Sequence, residues 1–379
     1  MKILLLKKFL SFDKDRNNRK SKLSLYLNNF SVLITVLSII FIVLIISVND
    51  GFKLTINELM ISLNGKYKIS NKYNQKLTDN DFNSISSYLS NETLISKLSS
   101  KKLIVKNRNL SEPVNIIAFS NHENFINKIK DKLISGKISN DEIIIGQILA
   151  EKLNVNIGSQ LIFMDISSSI KEVDRLTVGG IFNTNIPNYD KYIIYGNRLI
   201  FEKFIDINYD YFLTNYNIKN IDFVKSEYIV SSIYELNDNL FNWLDLYDTP
   251  IKMLVMFILI ICIFNILQNN FLYITSQRKN LYILKTLGLN NIYIYSIIIF
   301  RSLLTLSFSC LIAFIVSYSI LIIESNMNFI KLPEYVYFTN ILPISIDYTL
   351  ILYIFPFMTL VLLVISIFFY FNFIKRYEF

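Results

Sequence analysis

The sequence predicts a membrane protein with four transmembrane α-helices and a large mixed α+β external domain. Three observations carry this. Charged residues make up 18% of the 379 residues and hydrophobic ones 52%, against about 25% charged in a soluble chain. The shortage of charge is concentrated in four apolar runs rather than spread along the chain. Between the first two runs lie about 200 residues of mixed strand-like and helix-like pattern, room for one or two compact subdomains.

The elements follow in order. Residues 1–29 are a basic leader, and the first span is 30–48, FSVLITVLSIIFIVLIISV. Nineteen residues rise about 28 Å as a helix, which matches a bilayer core of about 30 Å. The leader is too long, and SVND too poor a small-residue site, for a cleaved signal peptide, so a retained anchor is expected. Residues 49–250 form the external domain and 251–275 the second span. A short basic connection, 276–292, leads to the third span, 293–323; an outer loop, 324–347, leads to the fourth, 348–373, and a tail, 374–379.

Charge sets the expected orientation. The leader holds eight basic and two acidic residues, the 276–292 connection three basic and no acidic, and the tail two basic and one acidic. The external domain is near neutral, with 22 basic and 24 acidic residues. Short flanks rich in Lys and Arg stay cytoplasmic, while long domains translocate largely regardless of charge. Both termini are therefore expected on the cytoplasmic side of a membrane crossed several times. The basic excess needs no nucleic-acid partner.

Within the external domain KYKIS, KKLIVKN, EPVNIIAFS, QLIFMDI, RLTVGGIF and FVKSEYIVS read as strands. TDNDFNSISSYLS opens on a Thr cap and follows helical spacing. DEIIIGQILAEKLNV reads as a strand that turns at Gly146 into a short helix, and IYELNDNLFNWLDLYDTP as an amphipathic approach to the second span. No GxSxG, HExxH, CxxC or GxxxxGK[ST] pattern occurs, so the sequence offers no catalytic residues, no metal site and no phosphate loop of that kind. Cys262 and Cys310 sit inside apolar runs as small buried residues, and His122 in SNHENF reads as solvated surface.

Some polar positions in the spans call for a reading. Asn265 suits a hydrogen bond between helices, Pro356 a kink. Arg301, early in the third run, is expected to snorkel to the inner headgroups. The connection after the second span is patterned rather than loose. Leu281, Leu284 and Leu287 recur at i, i+3 and i+6, Arg278, Lys279 and Lys285 flank them, and Gly288 suits the left-handed residue that ends a helix. From these residues alone the segment is either a docking helix for another protein or an interfacial helix held by anionic lipid.

Several stretches, in order, resemble the permeases of lipoprotein-releasing ABC transporters, the LolC/LolE family, within the wider group of MacB-type exporters and FtsX. They are SVNDGFKLTINELMISLNGKYKIS, LISGKISNDEIIIGQILAEKLNVNIGSQLIF, RLTVGGIFNTNIPNYD, FNWLDL, FNILQNN, RKNLYILKTLG and FIKLPEYVYFTNILPISI. The resemblance implies a non-catalytic membrane subunit with a MacB-like periplasmic core, which extracts lipoproteins from the outer leaflet of the inner membrane. It implies no cofactor in this chain and ATP with Mg bound by a partner, a cytoplasmic ABC ATPase dimer. A second permease copy, acylated lipoproteins and a periplasmic lipoprotein carrier complete the implied partners. It places Arg278, Lys279, Leu281, Ile283, Leu284, Lys285, Leu287 and Gly288 on a coupling helix against the ATPase. It also places Val48, Phe52, Met253, Met256 and Phe257 around a cavity for acyl chains. Asn280 and Leu281 stand where the family often has an acidic residue, and DISSSIKEVD is short where some members carry a longer hook for the carrier. The alternatives are an FtsX-like transmitter that regulates cell-wall hydrolases, and MacB-like export of a substrate already in the periplasm.

Overall fold

In the computed structural model the residues described are 19–87, 95–120, 129–165, 173–218, 224, 227–277, 282–283 and 285–369. His122 and most of the polar connection DISSSIKEVD lie outside them. The chain divides into a helical unit, drawn from 1–52, 244–330 and 342–379, and a mixed unit of 53–243 and 331–341.

Among the described residues, the mixed unit is built on a ten-stranded sheet. Its strands are β1 (Tyr67–Asn71), β2 (Ile95–Asn107), β3 (Leu110–Phe119), β4 (Leu133–Gly136), β5 (Ile143–Gly146), β6 (Gln160–Met164), β7 (Val173–Phe182), β8 (Ile193–Asn197), β9 (Tyr211–Thr214) and β10 (Tyr228–Ser232). Their order is β10-β1-β9-β2-β3-β8-β5-β7-β4, with β6 paired to β2 and β7. The pairs are antiparallel except β3 with β8 and β5 with β7. Each stretch read as a strand in the sequence is one, FVKSEYIVS through its last part. β5 is IIIG, buried along its whole length, as expected of a strand covered on both faces.

Helices cover two of the cores built on the sheet. Gly146 precedes the helix Gln147–Leu153, which ends on Asn154 in the left-handed conformation, φ 51°, and buries Leu149, Ala150 and Leu153 among Ile145, Phe163, Val178 and Phe201. A Cβ at Gly146 would run into the Asp190 backbone, so glycine is required where this strand passes the helix Pro187–Tyr192. The helix Asp79–Ser86 starts on Thr78, whose side chain and that of Asp81 cap each other's backbone N–H reciprocally. It lays Phe82 and Ile85 against Ile69, Phe212 and Tyr228 in a second core.

The helical unit has a different texture. Its long helices are Arg19–Asn64, Asp238–Ser276 and Asn291–Met327, the first two continuing into the residues of the mixed unit. Among the described residues, three helices, Phe30–Asn64, Asp238–Ser276 and Tyr295–Met327, are long and apolar enough to cross a membrane. In the place of the expected fourth span lies the helix Leu350–Phe369, whose Leu350–Val364 part is a shorter apolar helix. The first three helices run past the expected spans because hydropathy marks the apolar part of a helix, not its ends, while the described last helix lies inside the expected 348–373. The first helix passes Gly51, and the second runs through Pro250, which removes one backbone donor from a helix already supported on both sides. Pro356 lies inside the last helix.

Candidate functional site: the connection between the second and third long helices

The second long helix holds its last turns through hydrogen bonds such as Gln277 N–H to the Tyr273 carbonyl, 3.0 Å. Beyond it, Tyr282, Ile283, Lys285 and Thr286 are helical. Leu287 N–H donates to the Ile283 carbonyl at 3.1 Å and Gly288 N–H to that of Lys285 at 2.9 Å. Gly288 then takes φ +85°, the left-handed stop that glycine adopts without Cβ strain. Asn290 is the N-cap of the third long helix, Asn291–Met327.

The apolar side chains here are not packed away. Tyr282 is 53%, Ile283 54% and Leu287 74% exposed. Ile283 and Leu287 stand four residues apart, so they share one face of the turn, and Lys285 is half-buried. Arg278, Lys279, Leu281 and Leu284 lie outside the described residues. The pair brought together on one face is therefore Ile283 with Leu287, which a search for leucine spacing passes over. An exposed apolar pair on a glycine-stopped turn, with a lysine between them, can dock in a partner's groove.

Buried polar groups tie the second long helix both to the first and to the third. Ser31 Oγ donates to Asn265 Oδ1 at 2.9 Å, and Asn265 Nδ2 donates to the Ser31 carbonyl at 2.7 Å. This is the interhelical role expected of Asn265. Ser302 Oγ donates to Asn270 Oδ1. Around this second pair Asn269, Thr305 and Ser309 line a small cavity of about 20 Å³.

Arg301 corrects an expectation. It is 9% exposed rather than reaching out to headgroups, and its guanidinium lies 3.6 Å from the Tyr273 ring centre. A desolvated cation over an aromatic face gains about 2 kcal/mol, which offsets part of the cost that snorkelling would avoid. The missed signal was available: Tyr273, Asn270 and Ser302 are polar or amphipathic positions at the same ends of two neighbouring apolar runs.

The residues expected around an acyl-chain cavity fall into two sets. Val48 and Phe52 are half-buried and four apart on the first long helix. Met253, Met256 and Phe257, at i, i+3 and i+4 on the second, are 57%, 62% and 66% exposed. Each set shares a face of its own helix.

Comparison with known proteins bears on this unit first. Residues 252–377 match the family described as FtsX-like permease C-terminal, a stretch that contains the whole connection. A 155-residue stretch is 34% identical to the lipoprotein-releasing system transmembrane protein LolC of Buchnera aphidicola subsp. Acyrthosiphon pisum (strain APS). That match covers 38% of this chain and 38% of the relative's own length. Among solved structures, the periplasmic region of MacB from Actinobacillus actinomycetemcomitans is 13% identical with a TM-score of 0.33, over 48% of this chain and 96% of that one. The extracellular domain of the noncanonic ABC-type transporter YknZ from Gram-positive bacteria is 12% identical with a TM-score of 0.30, over 42% of this chain and 87% of that one.

Proposed function

We propose, for a chain that is an FtsX- and LolC-like ABC permease, that it extracts acylated lipoproteins from the outer leaflet of the bacterial inner membrane. In this reading four helices cross the membrane, both termini and the 276–292 connection face the cytoplasm, and the mixed domain is periplasmic. The permease pairs with a second copy or a close relative. A separate ATPase dimer supplies the ATP and Mg sites, and hydrolysis occurs there. Closure of the ATPases pushes the connection, and the first two spans squeeze an acyl-binding space near Val48, Phe52, Met253, Met256 and Phe257. Each methylene drawn out of the bilayer costs about 0.8 kcal/mol, so a triacylated protein leaves very slowly unless driven.

The observation that carries this reading is the exposed Ile283–Leu287 face ending at Gly288, φ +85°. A hydrogen-bonded turn transmits displacement, whereas a loose coil absorbs it. The LolC relative supports lipoprotein release over the transmitter reading. The test is Leu287→Asp and Lys285→Glu in the permease reconstituted with its ATPase and a fluorescent lipoprotein. Both residues are outside the packed core, so the chain is expected to fold. We expect lipoprotein release per ATP hydrolysed to fall by about tenfold or more, or the ATPase to dissociate altogether. Unchanged release and unchanged ATPase association in both variants would end this reading.

A further inference from the structure

A second cavity lies wholly within the mixed unit. It is a cleft of about 490 Å³, bordered by Gln147, Ile148 and Glu151 of the helix Gln147–Leu153 and by the turn that carries Asn183 and Asn185. The hairpin 331–341 contributes Lys331, Leu332 and Asn340. That hairpin is closed on itself by pairing of Lys331 with Ile341 and by Leu332 N–H donating to the Asn340 carbonyl at 3.0 Å.

The amides bordering the cleft are already aligned. Asn185 N–H donates to Asn183 Oδ1 at 2.7 Å, Asn183 Nδ2 to Gln147 Oε1 at 3.2 Å, and Gln147 Nε2 to Glu151 Oε1 at 2.9 Å. A primary amide has two N–H donors and two acceptor lone pairs, so Gln147 and Asn183 each keep donor and acceptor capacity after making these bonds. The turn beneath them is fixed as well. Asp190 accepts from Thr184 N–H at 2.9 Å and from its hydroxyl at 2.8 Å, and Asn185 is held at φ 63°. Beside this row, Ile148 and Leu332 are half-buried and offer apolar surface.

A row of oriented amides flanked by aliphatic side chains recognises a ligand that repeats C=O and N–H groups and carries small side chains. Other ligand classes fit worse. Among the described residues the lining holds no aromatic ring to stack a sugar or a base, and a single lysine rather than a cationic cluster for phosphate. Among the described residues no group of His, Cys, Asp or Glu could hold a metal ion.

We infer that this cleft binds a short extended stretch of polypeptide, with its main chain on the Gln147–Asn183 amides and its side chains against Ile148 and Leu332. That the polypeptide is part of the released lipoprotein rests on the function proposed above. Main-chain recognition predicts weak dependence on peptide sequence, so a plain probe suffices. We would titrate the full chain in detergent with a fluorescein-labelled Ser-Ala-Thr-Ala-Ser-Ala peptide and read fluorescence polarisation. Binding tighter than about 1 mM is expected. A Gln147→Ala, Asn183→Ala double variant should weaken it by about tenfold, and Ile148→Trp, which fills the cleft without removing an amide, should abolish it. Protease resistance of each variant checks that the domain is folded. No binding to the wild-type chain, or equal binding to wild type and both folded variants, would overturn the inference. The lipoprotein-release assay separates the two claims. Release without peptide binding defeats the cleft and leaves transport standing. Cleft-dependent peptide binding in a chain that releases no lipoprotein leaves the cleft standing and removes its assignment to that cargo.

Discussion

The two units place their polar and apolar groups in opposite ways. In the mixed unit large apolar side chains such as Phe163, Phe201 and Phe212 are buried completely, and ion pairs such as Lys97 with Asp79 lie toward the surface. In the helical unit Ser31, Ser38, Asn265, Asn270 and Ser302 are buried, while Phe257, Phe264, Phe308 and Leu352 are each more than 60% exposed. Water punishes exposed phenylalanine and rewards exposed serine; hydrocarbon reverses both preferences. The difference teaches that one chain is folded for two solvents, and that burial has a different meaning in each unit.

The largest expected effect tests that difference directly. Phe163 is fully buried, with its ring centre 6.1 Å from that of Phe201 and 6.4 Å from that of Phe204. Phe163→Ala should destabilise the mixed unit by about 3–5 kcal/mol, read as a lowered midpoint of protease sensitivity with denaturant. Phe257→Ala, on a residue 66% exposed, should stay within about 0.5 kcal/mol in detergent. A comparable loss at Phe257 would break the comparison, because that face would then be packed against something other than lipid.

A smaller effect concerns how the mixed unit satisfies its polar groups in water. Asp81 accepts from Thr78 N–H and its hydroxyl at 2.7 Å each and from the Tyr228 hydroxyl at 2.6 Å. Burial alone would raise its pKa, but the Tyr228 and Thr78 hydrogen bonds outweigh it and hold the carboxyl below its ordinary 3.8. A carboxylate depressed in the folded state stabilises above its unfolded pKa, and that contribution fades as pH falls through the folded value. Asp81→Asn should therefore cost about 1 kcal/mol at pH 7. Its penalty should shrink below about pH 4, seen as converging melting curves of the two proteins. A penalty unchanged down to pH 2 would mean that shape, not charge, is what this cap supplies.

Much of this was legible along the chain. The Thr78 cap, the turn at Gly146 and the glycine stop at 288 are local chemistry, settled by a few neighbouring residues. The strand order was not legible. The parallel pairing of 115–119 with 193–197 joins segments about eighty positions apart, and no local pattern encodes that choice. Details of the helical unit were harder to read. A charge count sees Arg301 as a cost and cannot see the Tyr273 ring that receives it. Leucine spacing at 281, 284 and 287 drew attention from the exposed pair at 283 and 287. The amide row of Gln147 and Asn183 was invisible, because its members are 36 residues apart and become neighbours only through the sheet.

The smallest effect sharpens the comparison most, because it asks what an inward-facing polar group does in the helical unit. Asn265 makes two bonds to Ser31, one in each direction. Asn265→Leu is isosteric enough to keep the packing with Ile266 and its neighbours, so the hydrogen bonds are the main loss. Interhelical bonds of this kind average about 0.6 kcal/mol, since the separated helices find other partners in the membrane. The variant should therefore melt only slightly below wild type in detergent. Ser31→Ala should cost less, because it removes the hydroxyl bond and leaves the main-chain carbonyl that accepts from Asn265 Nδ2. The double variant should cost little more than Asn265→Leu alone, which already removes both bonds. Strictly additive losses would mean that each side chain has a separate partner, and the inward polar groups would then not act as ties between these two helices.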